Sequence, residues 1–193
     1  MRMRSILSVA ALCASLAGTA FGQEAAAAKA PSTPSGLSLS FDAVHGQLSA
    51  SGLAVKAKPA VVSPGTTVTG TVNITLTINL VSKFGRGVRI PCGAILIGGE
   101  VDTSVPVVDG GIETAANVAS LDWKTKTATC TLSIPYEWTL ANDSGASKGL
   151  IIGFAAAAVG WGDVTERSTI QIGGPVDLPA SGTTTTLAYT TTL

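Results

Sequence analysis

Polar and apolar residues alternate almost without interruption between residues 67 and 81, in the run TVTGTVNITLTINLV. A period of two is typical of a β-strand with one buried and one exposed face. The apolar face of this strand consists of Val68, Val72, Ile74, Leu76, Ile78 and Leu80. Threonines and asparagines form the opposite, polar face.

Similar short runs occur along the rest of the chain, separated by turn sequences rich in glycine, proline, asparagine and aspartate. No run of ten residues beyond the N-terminal segment shows helical periodicity. Candidate strands span 37–43, 47–56, 66–81, 87–98, 116–123, 126–134, 149–159, 166–172 and 183–192. This pattern predicts an all-β fold, a two-sheet antiparallel β-sandwich with immunoglobulin-like or related Greek-key topology.

The run GLIIGFAAAAV, residues 149–159, is ambiguous because its four alanines favour a helix. Its two glycines and its shortness favour a strand. A continuous apolar strand is typical of the middle of a sheet that is covered on both faces. We therefore predict a central strand that is buried on both faces.

Two cysteines fall on predicted buried faces of two strands. Cys92 shares its face with Ile90 and Ala94, and Cys130 shares its face with Leu132. In an exported protein such a pair predicts a structural disulfide, which would stabilise the fold by about 4 kcal/mol in the chain-entropy model. The spacing differs from that of antibody domains, so the similarity to them is one of architecture alone.

The N-terminal segment has the pattern of a secretory signal peptide. Arginines precede an apolar stretch, and the small residues Ala20 and Gly22 predict cleavage after residue 22. The apolar stretch is shorter than the roughly 20 residues of a spanning helix, so we expect no stable membrane span after cleavage. We assign 1–22 to the signal peptide, 23–36 to a flexible leader and 37–193 to a single sandwich domain. The protein is thus predicted to be exported, to the periplasm, the cell surface or the medium.

Charge is sparse and balanced, with 12 basic and 12 acidic residues in the whole chain. Removal of Arg2 and Arg4 with the signal peptide leaves an excess of two acidic residues. No basic tract remains that could follow a phosphate backbone, which argues against a nucleic-acid partner.

The chain offers little catalytic chemistry. The only histidine, His45, lies in a predicted turn, and we expect it to cap the backbone or to face solvent. No nucleophile elbow, zinc motif or phosphate loop is present. Four carboxylates, Glu100, Asp102, Asp109 and Glu113, lie in one long connection without a calcium-loop spacing, and this pattern favours a solvated acidic loop. We predict no catalytic residues, no metal and no cofactor.

The placement of the few aromatic residues is informative. Tyr136 and Trp138 keep the parity of a buried face and predict the wide end of the core. Trp161 lies in the turn GWGD, where an exposed indole would contact a sugar ring or a partner surface. The alternative is an indole folded back over the end of the sandwich. Asp163 in the same turn is the second candidate contact residue.

Threonine-rich faces recur at 125–133 and in the segment TTTTLAYTTTL, residues 183–193. Such faces provide β-propensity and solubility without charge. Alternatively, a flat uncharged surface is suited to be covered by another subunit, a polysaccharide or ice, and uncharged edges favour strand addition. We interpret 183–193 as an internal strand, the alternative being a strand donated to a neighbouring subunit.

These features predict a non-catalytic exported protein that acts in binding or assembly at the cell surface or in the periplasm. Its expected partners are protein subunits or a polysaccharide. Two alternatives are an outer-membrane β-barrel, for which the alternating strands would suffice, and a secreted hydrolase that uses carboxylates such as Asp163 and Glu166.

Overall fold

The computed structural model describes residues 36–55, 65–85, 87–101, 107–142 and 147–193. The predicted signal peptide and nearly all of the predicted leader lie outside these residues. Within them the chain forms β-strands, a single 3-10 turn at Trp161–Asp163 and no α-helix. The strands are β1 Ser38–Asp42, β2 Gln47–Ser51, β3 Ala54–Val55, β4 Thr66–Asn79, β5 Pro91–Glu100, β6 Val107–Val118, β7 Ser120–Asp122, β8 Thr127–Leu140, β9 Lys148–Val159, β10 Thr165–Asp177 and β11 Thr183–Thr192.

Two sheets pack face to face, which confirms the predicted sandwich. One sheet has the order β10-β9-β5-β6-β3 and the other has the order β11-β4-β8-β7. Their inner faces form the main hydrophobic core. The predicted disulfide joins Cys92 on β5 to Cys130 on β8 and so links the two sheets through this core.

The strand order follows that of an immunoglobulin domain. If β4 to β10 are lettered B, C, C′, D, E, F and G, the order D-E-B faces the order C′-C-F-G, as in that fold. The place of strand A beside B is taken by β11, which runs parallel to β4 from Thr183 opposite Gly70 to Thr192 opposite Asn79. The paired strands among β4 to β10 are therefore all antiparallel. Two pairs are parallel: β11 runs parallel to β4, and β3 runs parallel to β6. The segment 183–193 pairs within its own chain.

The four-stranded sheet has one dry and one wet face, as the alternation predicts. Val72, Ile74, Leu76 and Ile78 of β4 are completely buried against the other sheet. The threonine side of β4 and β8 is half-buried or exposed. An antiparallel sheet can leave one face in water because its short connections do not cover that face.

The middle strands of the five-stranded sheet, β5 and β9, are covered on both faces, because the β1–β2 hairpin lies on the outer side of the sheet. This hairpin buries a second apolar cluster consisting of Leu37, Leu48, Ile95, Ile97, Val108, Ile151 and Ala155. Strand β9 is consequently buried from Gly149 to Val159, which confirms the predicted central strand. Gly93 and Gly153 permit the close approach, since a Cβ there would collide with the Gly46 carbonyl and with Leu39.

Strand β6 begins well before the predicted strand 116–123, which corrects our interpretation of that stretch as an acidic connection. Gly110 and Gly111 lie within this stretch, and such a glycine pair commonly marks a turn. In the structure they lie under the indole of Trp138, and a Cβ at Gly111 would lie 2.7 Å from its Nε1 atom. These glycines therefore make room for a large side chain within a strand.

Strand β8 also extends beyond the prediction, passing through Pro135 to Leu140. Strand β7 pairs with residues 127–129 of β8. At Pro135, therefore, β4 is the only neighbour of β8 among the described strands. A strand that is paired on one side tolerates a residue without an N–H group. Tyr136 and Trp138 are both 4% exposed, as expected for the wide end of the core.

Candidate recognition site at the loop end

Three connections lie at the same end of the sandwich, which we call the loop end. They are the β4–β5 connection, the β7–β8 turn at 123–126 and the β9–β10 turn at 160–164. In immunoglobulin lettering these are the B–C, D–E and F–G connections. The B–C and F–G connections are two of the three that bind antigen in variable domains.

Backbone hydrogen bonds connect these loops. The Leu80 N–H donates to the Lys126 carbonyl at 2.9 Å, which ties the β4–β5 connection to the β7–β8 turn. Arg89 and Val159 exchange two backbone hydrogen bonds, which tie the same connection to the β9–β10 turn. The loop end is thus anchored at several points to the rigid sheets.

Trp161 projects from the tip of the β9–β10 turn and is 94% exposed. The indole does not fold back over the end of the sandwich. Val164 on the same turn is 62% exposed. This turn therefore presents two apolar side chains to solvent.

The turn that carries Trp161 has a defined conformation. The Gly160 N–H donates to the Val164 carbonyl at 2.9 Å and closes the turn. Gly162 and Asp163 both have a positive φ, of 72° and 59°. Aspartate is one of the few non-glycine residues that tolerate this conformation. The sequence GWGD thus favours a tight, left-handed tip.

Arg89 holds this tip from the side. Its Nη2 donates to Asp163 Oδ1 at 2.6 Å, and its Nη1 donates to the Val44 carbonyl of the β1–β2 turn at 2.9 Å. One guanidinium therefore joins the β9–β10 turn to the covering hairpin. The Arg89 and Asp163 side chains are 38% and 62% exposed, so the pair orients the tip more than it stabilises the fold.

The neighbouring β1–β2 turn contains the single histidine. Asp42 Oδ1 accepts the N–H groups of Val44 and His45, while Asp42 Oδ2 lies 2.7 Å from His45 Nδ1. The pKa of Asp42 lies below its ordinary value. The hydrogen bond with the His45 imidazole is the largest cause, and the hydrogen bond from the His45 backbone N–H is the next largest. His45 faces solvent, as predicted. Among the described residues no serine hydroxyl bonds its imidazole.

A second tryptophan lies at the loop end, and it is not among the contact candidates predicted from the sequence. Trp123 in the β7–β8 turn is 55% exposed. Asp122 fixes this turn by accepting hydrogen bonds from the N–H groups of Lys124 and Thr125. These bonds lower the pKa of Asp122, and the bond from Lys124 contributes most. In the sequence, the position of Trp123 in a turn directly after a strand was the sign that its side chain could be exposed. The exposed large apolar residues of the described chain are Val81, Ile112, Val118, Trp123, Trp161, Val164 and Ile170, and all but Ile112 and Ile170 lie at the loop end.

The acidic residues that the sequence grouped together do not form a solvated loop. Glu100 and Asp109 lie at the opposite end of the sandwich and pair with Lys148 on β9. Their side chains are only 12% and 7% exposed, which corrects the expectation. Glu113 lies farther along β6, and Asp102 is outside the described residues. In the described part of the chain no three metal-binding side chains come together.

The outer face of the four-stranded sheet carries a regular polar array. Rows such as Thr186–Asn73–Ser133 and Thr190–Thr77–Thr129 cross β11, β4 and β8. Glu137 is the only charged residue of these three strands on this face. We call this surface the threonine face.

Comparison of the chain with protein-family models, with curated proteins and with solved structures found no match. Among the described residues no helix is long and apolar enough to cross a membrane. The loop end provides an exposed indole beside a fixed guanidinium–carboxylate pair. Such groups are suited to contacting a ligand.

Proposed function

We propose that the protein is an exported, non-catalytic binding module that engages its ligand through the loop end. The observation that carries this proposal is Trp161, which is 94% exposed on a turn held by Arg89 and by the Gly160–Val164 hydrogen bond. Tryptophan is enriched at binding hot spots because it provides a large contact area with few rotatable bonds. A fixed turn further reduces the entropy lost on binding.

The chemistry of the site favours a ligand with a flat apolar face and nearby hydroxyl groups. The indole face stacks on such a surface, and the half-exposed Arg89–Asp163 pair offers hydrogen-bond donors and acceptors beside it. A polysaccharide combines these two features. A protein subunit with an exposed apolar pocket is the other candidate ligand.

A glycan array and an affinity measurement on the mature protein test this proposal. The Trp161→Ala variant should lose binding by about tenfold or more, as expected for the loss of a hot-spot side chain. The matched control is Ile112→Ala, which removes an exposed apolar side chain of β6 away from the loop end. Binding that survives Trp161→Ala unchanged would contradict the proposal.

A second candidate function is self-assembly, which is supported by the edges of the sheets. Edge strand β11 carries no charge or proline. Edge strand β10 has two register shifts, and it also contains a proline, Pro175, and a charged residue, Arg167. All of these features protect an edge from strand addition. Multi-angle light scattering would test assembly through β11. If it occurs, Ala188→Lys on the threonine face should lower the oligomer size, whereas Ser168→Lys on β10 should leave it unchanged.

A further inference from the structure

We propose that Lys148 and Asp109 form an intramolecular amide bond, promoted by Glu100. The three residues lie on adjacent strands at the end of the sandwich opposite the loop end. Glu100 on β5 is paired directly with Lys148 on β9, and Asp109 lies on β6, the other neighbour of β5. The bond would covalently connect β6 to β9 across the strand between them.

The geometry places the reacting atoms close together. Lys148 Nζ lies 2.6 Å from Asp109 Oδ2 and 3.3 Å from Glu100 Oε1. Because Oδ2 is bonded to Cγ, the nitrogen lies on the order of 3 to 3.5 Å from Cγ, the separation of a near-attack conformer. The amine is therefore positioned for addition to the carboxyl carbon.

The three side chains of this cluster are largely shielded from solvent. The side chains of Lys148, Glu100 and Asp109 are 17%, 12% and 7% exposed. Gly110, next to Asp109, packs against Trp138 and Leu140. Low exposure keeps bulk water away from the reacting atoms, so the water molecule released by condensation has little competition from solvent that would reverse the reaction.

The reaction is a condensation and needs no oxidant or cofactor. The lone pair of Lys148 Nζ adds to Asp109 Cγ, and the Ala141 N–H, which donates to Oδ2 at 3.0 Å, stabilises the negative charge that develops on that oxygen. Glu100 accepts one proton from the ammonium before the addition and relays it, with a second proton that the nitrogen loses after the addition, to Asp109 Oδ1, which departs as water. One C–N bond forms, one C–O bond breaks, and one water molecule leaves. Oδ2 remains as the amide oxygen.

Intact-mass spectrometry of the purified, denatured full chain tests the proposal directly. The expected mass is lower than that of the disulfide-bonded sequence by one water molecule. After digestion with trypsin, the chain should remain uncleaved at Lys148, and a branched peptide should contain Lys148 and Asp109. A folded wild-type protein with its full mass would overturn the proposal. A water loss that maps to another residue would overturn it as well.

Variants test the roles of the three side chains. Lys148→Arg and Asp109→Ala should have the full mass, and Glu100→Gln should contain a reduced cross-linked fraction. Asp109→Asn offers an amide to the same amine, so its cross-linking should release ammonia in place of water. Lys83→Arg, which changes a lysine outside the cluster, should keep the water loss of the wild type. A water loss that persists in Lys148→Arg would show that another residue is responsible.

Discussion

The two ends of the sandwich use tryptophan and glycine in opposite ways. At one end, Gly98, Gly110 and Gly111 form a slot in which Trp138 is almost completely buried. At the loop end, Gly162 supplies a left-handed turn that carries Trp161 into solvent. In this protein, a glycine beside an aromatic ring makes room for the ring when it lies in a strand, and it shapes the turn that exposes the ring when it lies at a loop tip. Stability is therefore expected to depend on one end and recognition on the other.

The largest expected effect is the loss of the buried indole. Trp138→Ala should destabilise the protein by about 3 to 5 kcal/mol, because a buried aromatic side chain leaves a cavity that the two sheets cannot close. That is a large part of a typical stability of about 5 to 15 kcal/mol. Urea unfolding followed by circular dichroism measures the difference.

The matched variant at the loop end is Trp161→Ala, which should change the free energy of unfolding by less than about 0.5 kcal/mol. Equal losses of stability for the two variants would show that the ends do not differ as described.

A smaller effect is expected from filling the slot under Trp138. In Gly98→Ala the new Cβ would collide with the six-membered ring of Trp138, and such overpacking costs about 1 to 3 kcal/mol. Gly85→Ala is the control, since its Cβ would lie 3.6 Å from Glu166 Oε1, an ordinary contact. Thermal unfolding of both variants would check the prediction, and a control as destabilised as Gly98→Ala would contradict it.

At the loop end, removal of the side chain that holds the tip should alter recognition more than stability. Arg89→Ala breaks an exposed ion pair and should cost less than about 1 kcal/mol. The freed tip should show faster amide exchange at Gly160 and weaker ligand binding. Arg89→Lys should restore little, because an ammonium lacks the planar fork that reaches both Asp163 and Val44. The control Arg167→Ala, on β10, should affect neither property.

The smallest effect concerns pH. The turn hydrogen bonds of Asp42 and Asp122 lower both pKa values in the folded protein, so their stabilising contribution is complete above an unfolded pKa of about 3.9. The contribution is lost as the pH falls through the lower folded values. The protection factors of the His45 and Lys124 amides, which compare their exchange with the intrinsic rate at the same pH, should fall in that acidic range. The protection factor of Ile152 in the core should not. Asp122→Asn should remove the pH dependence at Lys124 alone, as nuclear magnetic resonance would show.

The fold could be predicted from the sequence wherever a local pattern of polar and apolar residues is compatible with only one arrangement of the strand. The alternation in β4 and the first part of β8 follows from a sheet that has one wet face, and the continuous apolar run of β9 follows from cover on both sides. The inward parity of Cys92 and Cys130, taken with the predicted export, likewise predicted their disulfide.

Features that depend on distant residues were missed or misinterpreted. The slot for Trp138 gives Gly110 and Gly111 a packing role, although the same pair commonly marks a turn. Glu100 and Asp109 appeared to be solvated because their partner, Lys148, lies about 40 residues farther along the chain than Asp109. The hydrophobic pattern of β11 specified its buried face but not its parallel partner β4. Local turn chemistry indicated the tip at Trp161, while its exposure depends on what packs around it.

The parallel pairing of β11 with β4 has a consequence for the time course of folding. Thr183 lies opposite Gly70, so 113 residues separate the first partners of this ladder. During synthesis the open side of β4 stays unpaired until β11 has been made, and such distant contacts slow folding. In that interval the uncharged backbone edge of β4 is exposed to other chains, which is the condition under which folding intermediates aggregate. The yield of folded protein should therefore be limited by the arrival of β11, and a chaperone that shields β4 until then would raise it.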